Sequence, residues 1–91
     1  MAVGPMFTFK EGQLDVPQIS AGTLWHKYAI KGVWKNEPIV TSTSGFAALT
    51  GTPQVAVIGG AAWITFEDIK GKAGAAVQPS NSTAWTVVPL P

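Results

Sequence analysis

Residues 54–66 read QVAVIGGAAWITF, and this stretch decides the fold class. Two runs of strand-forming residues, Gln54–Ile58 and Ala62–Phe66, flank the pair Gly59-Gly60. Two adjacent residues that accept a positive φ between two such runs are typical of a β-hairpin with a tight turn. We therefore expect an antiparallel strand pair here.

The same alternation of strands and turns extends outward along the chain. Turns are predicted at Ala21-Gly22, Lys31-Gly32 and residues 79–82, and ten Gly and seven Pro leave no long helical period. Short strands with turn signals roughly every 8–12 residues indicate a small sandwich or barrel. The prediction is an all-β, small single-domain β-sandwich or barrel that spans residues 1–91, with short extended arms at about 1–6 and 89–91.

Several local elements follow from the same patterns. Residues 7–10 alternate apolar and polar side chains and predict a first strand, and residues 85–88 predict the last one. Pro17 confines its strand to an edge or a turn entry, because proline cannot donate a hydrogen bond to a neighbouring strand. Residues 46–49 are predicted to form a single helical turn before the breaker Gly51-Thr52-Pro53.

A gapped pattern occurs twice. GxxWxxYxIKG at residues 22–32 recurs as GxxWxxFxxIKG at residues 60–71, an offset of 38 residues. One interpretation is a pair of related strand-turn units in a pseudo-symmetric barrel, and the other is a chance match in a Gly-rich chain.

The composition excludes several classes of protein. Charged residues make up 12% of the 91 residues, with six Lys, no Arg, five carboxylates and a net charge of +1, whereas an ordinary soluble domain has about 25%. Disorder, non-specific nucleic-acid binding and a disulfide scaffold are all excluded, since the chain is 46% hydrophobic, has no basic excess and has no Cys. So few charges imply that a partner or further copies of the chain cover a sizeable face.

No catalytic constellation is predicted. The single histidine, His26, needs an orienting group to act as a base, and Asp15 is a candidate that nothing in the sequence places beside it. One His and five scattered carboxylates make neither a metal nor a cofactor site.

Lys27, Lys31 and Lys35 recur at four-residue steps among aromatic residues. This pattern is typical either of a nucleic-acid contact or of a solvated strand edge that blocks pairing with another strand, and we favour the edge.

Targeting signals are also not predicted. Residues 1–9 hold no basic residue, and the longest apolar run, Val55–Ile64, is shorter than the roughly 20 residues of a membrane-spanning helix. We expect synthesis in the cytoplasm and no membrane contact.

The chain resembles in general character the small capsid decoration, or cement, proteins of tailed bacteriophages. The resemblance rests on the uncharged start MAVGPMFTF, the strand pair Val55–Phe66 around Gly59-Gly60, and the apolar end WTVVPLP. It implies a non-enzymatic, β-rich virion protein, often a homotrimer, that binds the major capsid protein on the capsid exterior. The long polar N-terminal arm of some members has no counterpart here.

The expected partner contacts are apolar residues near the two ends and one tryptophan between them. They are Met6, Phe7 and Phe9 at one end, Trp85, Val88 and Leu90 at the other, and Trp34. Trp34 and Trp85 are the tryptophans expected to face outward.

Three alternatives remain open. One is a small carbohydrate-binding module with Trp34 or Trp25 as a stacking platform, and another is a phage tail or head-completion component. An enzyme is the third, and it requires a buried Asp15–His26 pair beside a pocket.

Overall fold

Eight strands form two four-stranded antiparallel sheets in the computed structural model, which describes Met1–Pro91 apart from the side chain of Ser42. The strands of each sheet lie side by side in chain order. Sheet A contains β1 (Ala2–Val3), β2 (Gln13–Ser20), β3 (Thr23–Ile30) and β4 (Val33–Val40). Sheet B contains β5 (Leu49–Ile58), β6 (Ala61–Asp68), β7 (Ala73–Pro79) and β8 (Thr86–Pro89). The all-β prediction is confirmed.

The predicted hairpins form because their turn residues accept positive φ. Gly59 and Gly60 have φ of 57° and 75° and connect β5 to β6, in which Ile58 pairs with Ala61. Positive φ at both central residues matches the right-handed twist of the flanking strands. Ala21 and Gly22 adopt the same conformation, with φ of 52° and 77°, between β2 and β3.

The repeated sequence pattern occupies equivalent places in the two sheets. β3 and β6 each have eight residues, and their first residues lie 38 positions apart. Each is the middle strand of a three-stranded meander, β2-β3-β4 in one sheet and β5-β6-β7 in the other. Trp25 and Trp63 hold the same position in these two strands.

One hydrophobic core joins the sheets. Sheet A contributes Ile19, Leu24 and Val40, sheet B contributes Leu49, Ile64, Phe66 and Ala76, and the connection between them contributes Phe46. The Phe46 and Phe66 rings meet edge to face with centroids 4.9 Å apart. They close over Gly74, where an added Cβ would lie 2.5 Å from Phe46 Cζ.

The helical turn predicted at residues 46–49 is wrong. A 3-10 turn occupies Ser42–Ser44 instead, and Leu49 begins β5. The backbone of this stretch bonds to distant segments, since Leu49 N–H donates to Gly22 O and Ala48 O accepts from Ile69 N–H, both at 2.9 Å. The N–H of Leu49 and the carbonyl of Ala48 are therefore not available for hydrogen bonds within a local helical turn.

The first strand predicted at residues 7–10 is also wrong. Strand pairing begins with β1, and only Phe7 bridges to Asp15, through two bonds of 2.8 and 2.9 Å. Pro17 lies within β2, and its carbonyl accepts from Gly4 N–H at 2.8 Å. The missing N–H of Pro17 therefore faces the β1 side, next to the last pair of β1 with β2, Val3 with Gln18. The predicted edge or turn position is wrong, because β2 lies between β1 and β3 and Pro17 is in the middle of it.

Both predicted arms are bonded to their own sheets over part of their length. Ala2 and Val3 pair with β2, Pro89 pairs with β7, and Leu90 N–H donates to Ala73 O at 3.0 Å. No helix in the described part of the chain has the length and apolar character needed to span a membrane.

Candidate functional site

Asp15 and His26 form a buried pair on the inner side of sheet A. Asp15 is 0% exposed and His26 is 3% exposed, and Oδ1 of Asp15 is hydrogen-bonded to Nε2 of His26. The amide of Gln13 donates to the same Asp15 oxygen at 3.0 Å. The sequence suggested Asp15 as the orienting partner of His26, and the register of β2 with β3 brings the two together.

Aromatic and polar groups surround the His26 ring. Tyr28 stacks on it at 4.8 Å, and Trp85 meets it edge-on at 5.0 Å. The Tyr28 hydroxyl donates to Glu37 Oε1 at 2.8 Å. This hydrogen bond raises the pKa of Tyr28 above its ordinary value, and burial and the negative charge of Glu37 act in the same direction. The ring of His26 is thus held between two aromatic side chains.

A polar cavity of about 160 Å³ opens beside this cluster. Its walls come from both sheets and from the segments before β2 and β8. The lining residues are Lys10, Gln13, His26, Tyr28, Ile30, Lys35, Glu37, Gln78 and Thr83. The cavity is the pocket that the enzyme alternative requires beside an Asp15–His26 pair.

Two buried oxygens near this site lack hydrogen-bond partners among the described residues: Asp15 Oδ2 and Gln78 Oε1. A buried polar atom without a partner costs roughly 1–3 kcal/mol, so such atoms are rare in folded proteins. Gln78 is 3% exposed and lines the cavity. The site therefore has unused capacity to accept hydrogen bonds.

A second feature is the outer face of sheet B. Ile64, Ala76 and Val87 point into the core, so their neighbours in each strand point away from it. We call this outward set the uncharged face. It consists of Gln54, Ala56 and Ile58 of β5, Ala61, Trp63 and Thr65 of β6, Ala73, Ala75 and Val77 of β7, and Thr86 and Val88 of β8. Ala75 is covered by its neighbours and is 0% exposed. Glu67 continues the β6 row beyond Thr65 and borders the face at one end.

The charges of sheet B gather at one end. Residues 38–66 and 73–91 contain no Asp, Glu, Lys or Arg, and the four charged residues between them lie at the β6–β7 turn. The sequence interpretation missed this segregation, although the two long uncharged stretches were a readable signal of it.

Asp68 organises that turn. Its carboxylate accepts backbone N–H bonds from Ala47, Lys70 and Lys72 at 2.9–3.0 Å. Burial raises the pKa of Asp68, but these bonds, that of Lys72 foremost, together with the Lys72 ammonium, outweigh burial and hold the pKa below its ordinary value. Glu67, next to it in β6, is exposed on the outer side of sheet B, in the same row as Trp63 and Thr65.

Three of the four tryptophans lie on outer sheet faces. Trp63 belongs to the uncharged face, and Trp25 and Trp34 lie on the outer face of sheet A, opposite in direction to His26. Trp34 is 53% exposed, as predicted from the sequence. Trp85 differs from the prediction, because it packs against the core and the His26 ring rather than facing outward.

The other predicted contact residues do not form one surface. Met6 is 61% exposed, and Phe7 packs against the core with its ring 5.8 Å from that of Phe9. Val88 lies on the uncharged face, and Leu90 follows at the end of the same strand.

The lysine stripe is not a single face. Lys27 lies on the outer side of sheet A, paired with Asn36, and Lys31 lies in the turn with φ of 51°. Lys35 pairs with Tyr28 and lines the polar cavity. The described residues contain no cluster of three or more His, Asp or Glu suited to a metal ion.

No family model, no curated protein and no solved structure matches this chain. The functional argument therefore rests on the two features above, the uncharged face and the polar cavity.

Proposed function

We propose that this protein is a structural component of a virus particle: a capsid decoration protein that binds the major capsid protein and stabilises the assembled shell. The uncharged face of sheet B carries the proposal. It extends across four strands, presents Trp63 near its middle and is bordered by a charged side chain at one end only, where Glu67 pairs with Ala73.

Such a face suits burial against another protein. Charged residues are depleted at the centres of protein interfaces and tryptophan is enriched there. Removing charges from water is costly, whereas apolar surface gains roughly 25 cal/mol for each Å² that is buried. Ile58, at the β5 edge of this face, is 62% exposed.

Stabilisation of the shell then follows from mass action. A ligand that binds the assembled state and not the separated subunits shifts the equilibrium toward assembly. Repeated copies of one modest interface add their effects over the shell, so a small protein without a catalytic role is sufficient. The proposed location is the outside of the capsid, with three copies assembled into a trimer.

The experiment places one lysine on each outer face in turn. Thr65→Lys puts a charge on the uncharged face, next to Trp63 in the outward row of β6, and Asn36→Lys puts the same charge on the outer face of sheet A. We expect Thr65→Lys to lower binding to purified shells of the encoding virus about tenfold or more, equivalent to about 1.4 kcal/mol. Asn36→Lys is expected to bind like the unmodified protein.

Co-sedimentation with shells measures both variants, and circular dichroism checks that both fold. Equal binding by the two variants overturns the assignment of the uncharged face, and failure of the unmodified protein to sediment with shells overturns the proposed function. Native mass spectrometry over a concentration series tests the trimer: three copies support it, and a monomer at every concentration overturns a trimer in solution.

A tail or head-completion component uses the same kind of face in a different part of the particle. Antibody labelling of intact virions distinguishes the two, because a decoration protein is distributed over the whole shell. A small ligand-binding module is the other candidate function, and the polar cavity favours it.

A further inference from the structure

We propose that the polar cavity beside His26 binds an uncharged, hydroxyl-rich small molecule of about the size of one sugar ring. The inference stands apart from the shell-binding role, because the cavity and the uncharged face lie on different surfaces of the protein. Four observations carry it: the cavity's size, its balanced charge, its unpartnered acceptor and its aromatic wall.

The size fits a small molecule. The cavity measures about 160 Å³, which corresponds to about five water molecules at 30 Å³ each. A larger groove of about 590 Å³ follows residues 8–14, but none of its lining residues is buried. The cavity beside His26 is smaller, and two buried polar side chains, His26 and Gln78, line it.

The charged groups in and behind the wall are equal in number. Lys10 and Lys35 contribute two positive charges, while Glu37 lies in the wall and Asp15 lies directly behind His26. One of the three N–H groups of the Lys10 ammonium is already used, because it donates to Ser82 O at 2.7 Å. An anion would lie against Glu37, with the Asp15 carboxyl group behind His26, and a cation would lie against two ammonium groups, so the arrangement favours an uncharged ligand.

The hydrogen-bonding groups of the cavity suit a ligand that both donates and accepts hydrogen bonds. Gln78 Oε1 is buried without a partner, and rotation about the last bond of this side chain presents either its oxygen or its nitrogen to the cavity. Nε2 of His26 is bonded to Asp15, so Nδ1 is the ring nitrogen left for a ligand. Hydroxyl groups satisfy both sites, because each one donates one hydrogen bond and accepts others.

The remaining wall adds aromatic and apolar surface. Tyr28 stacks on His26, and Ile30 continues the same inner row of β3. Ligand sites combine such surfaces with a small number of fixed polar groups that orient the ligand. Asp15 and Trp85 hold His26 from behind and from the side, so the orienting groups are in place before a ligand arrives.

The test is a titration of the ¹⁵N-labelled full chain with glucose, galactose, mannose, N-acetylglucosamine and glycerol, each added separately. We expect at least one of them to shift the side-chain amide signals of Gln78 and the indole N–H signal of Trp85, with Kd on the order of 1 mM. Phosphate and acetate are titrated in parallel as anionic probes.

Gln78→Leu removes the amide and keeps a side chain of similar size. We expect at least a tenfold loss of affinity with the melting temperature unchanged or raised, because the variant also removes an unpartnered buried oxygen. Gln54→Leu, on the uncharged face, is the matched control and should bind as the unmodified chain does. Thr83→Val is a second variant of the cavity wall on an exposed residue, and it should weaken binding without affecting folding.

Three results overturn the proposal. One is the absence of any shift at Gln78 and Trp85 with every sugar and polyol, which leaves the cavity to water. Another is a shift with phosphate or acetate alone, which assigns the cavity to anions. The third is equal binding by Gln78→Leu, Thr83→Val and Gln54→Leu, which places the ligand elsewhere.

Discussion

Oδ1 of Asp15 and Nε2 of His26 are hydrogen-bonded inside the protein, although the two residues are not direct partners in the sheet. Asp15 pairs with Tyr28 across β2 and β3, and His26 pairs with Pro17. The bond therefore runs diagonally between neighbours on the inner face, a distance within reach of these side chains. It places this buried polar pair beside the cavity that both sheets line.

The first prediction concerns this pair. Asp15→Ala should lower the free energy of unfolding by about 3 kcal/mol, because it leaves His26 and Gln13 without their shared acceptor inside the protein. Urea denaturation measures the change. Glu11→Ala, on an exposed residue before β2, should stay within about 0.5 kcal/mol of the unmodified protein. An equal loss in both variants would show that the Asp15–His26 bond contributes nothing specific.

The second prediction concerns pH and Asp68. Because its folded-state pKa lies below the ordinary value, Asp68 stabilises the fold at neutral pH. That contribution is fully present above about pH 4, the unfolded-state pKa, and is lost as the pH falls through the lowered folded-state pKa.

The variant Asp68→Asn should melt at a lower temperature than the unmodified protein at pH 7, and the difference should narrow at strongly acidic pH. Thermal melts at several pH values from 7 to 2 measure this difference in melting temperature. The neighbouring variant Glu67→Gln is the control, since Glu67 is exposed on the opposite face. A difference between Asp68→Asn and the unmodified protein that stays constant over this range would contradict the assignment.

The third prediction concerns the hairpin turns. Ala21 has φ of 52°, a conformation that costs a residue with a Cβ about 1 kcal/mol and that asparagine tolerates better. Ala21→Asn should therefore raise the free energy of unfolding by about 0.5–1 kcal/mol. Gly59→Ala adds a Cβ to a residue with φ of 57°, so it should lower the free energy of unfolding by at least a similar amount. Chemical denaturation distinguishes the two, and changes of the same sign would refute the turn argument.

The fourth prediction separates two tryptophans. Trp85→Ala should lower the free energy of unfolding by about 3 kcal/mol, because Trp85 packs against the core and His26. Trp63→Thr, on the uncharged face, should change it by less than about 1 kcal/mol and should weaken binding to shells. Melting curves and shell co-sedimentation provide the two readouts. A large loss of stability in Trp63→Thr, together with a loss of shell binding but not of stability in Trp85→Ala, would contradict these assignments.

Much of the fold could be predicted because its causes are local. A tight hairpin depends on two residues that accept positive φ, and Gly59-Gly60 meets that requirement without reference to the rest of the chain. The failures at residues 7–10 and 46–49 have the opposite origin. There the backbone bonds to Asp15, Gly22 and Ile69, which are distant in sequence.

The candidate site was predicted less completely. His26 and Asp15 were recognised as possible partners, but Gln78 and the uncharged face were not. Gln78 lies on the other sheet, so no pattern within its own strand shows that it faces the same cavity as His26.

The sequence by itself determined the all-β class, the turn positions and the low charge of the molecule, because turn conformation and composition are properties of adjacent residues or of the whole chain. Tertiary structure alone decided which tryptophans face outward and which polar groups are buried together. Side chains alternate between two faces in every strand, so a side chain's surroundings depend on strand register and on the packing of the second sheet. That is why Trp63 lies on the outer surface while Trp85 lies against His26.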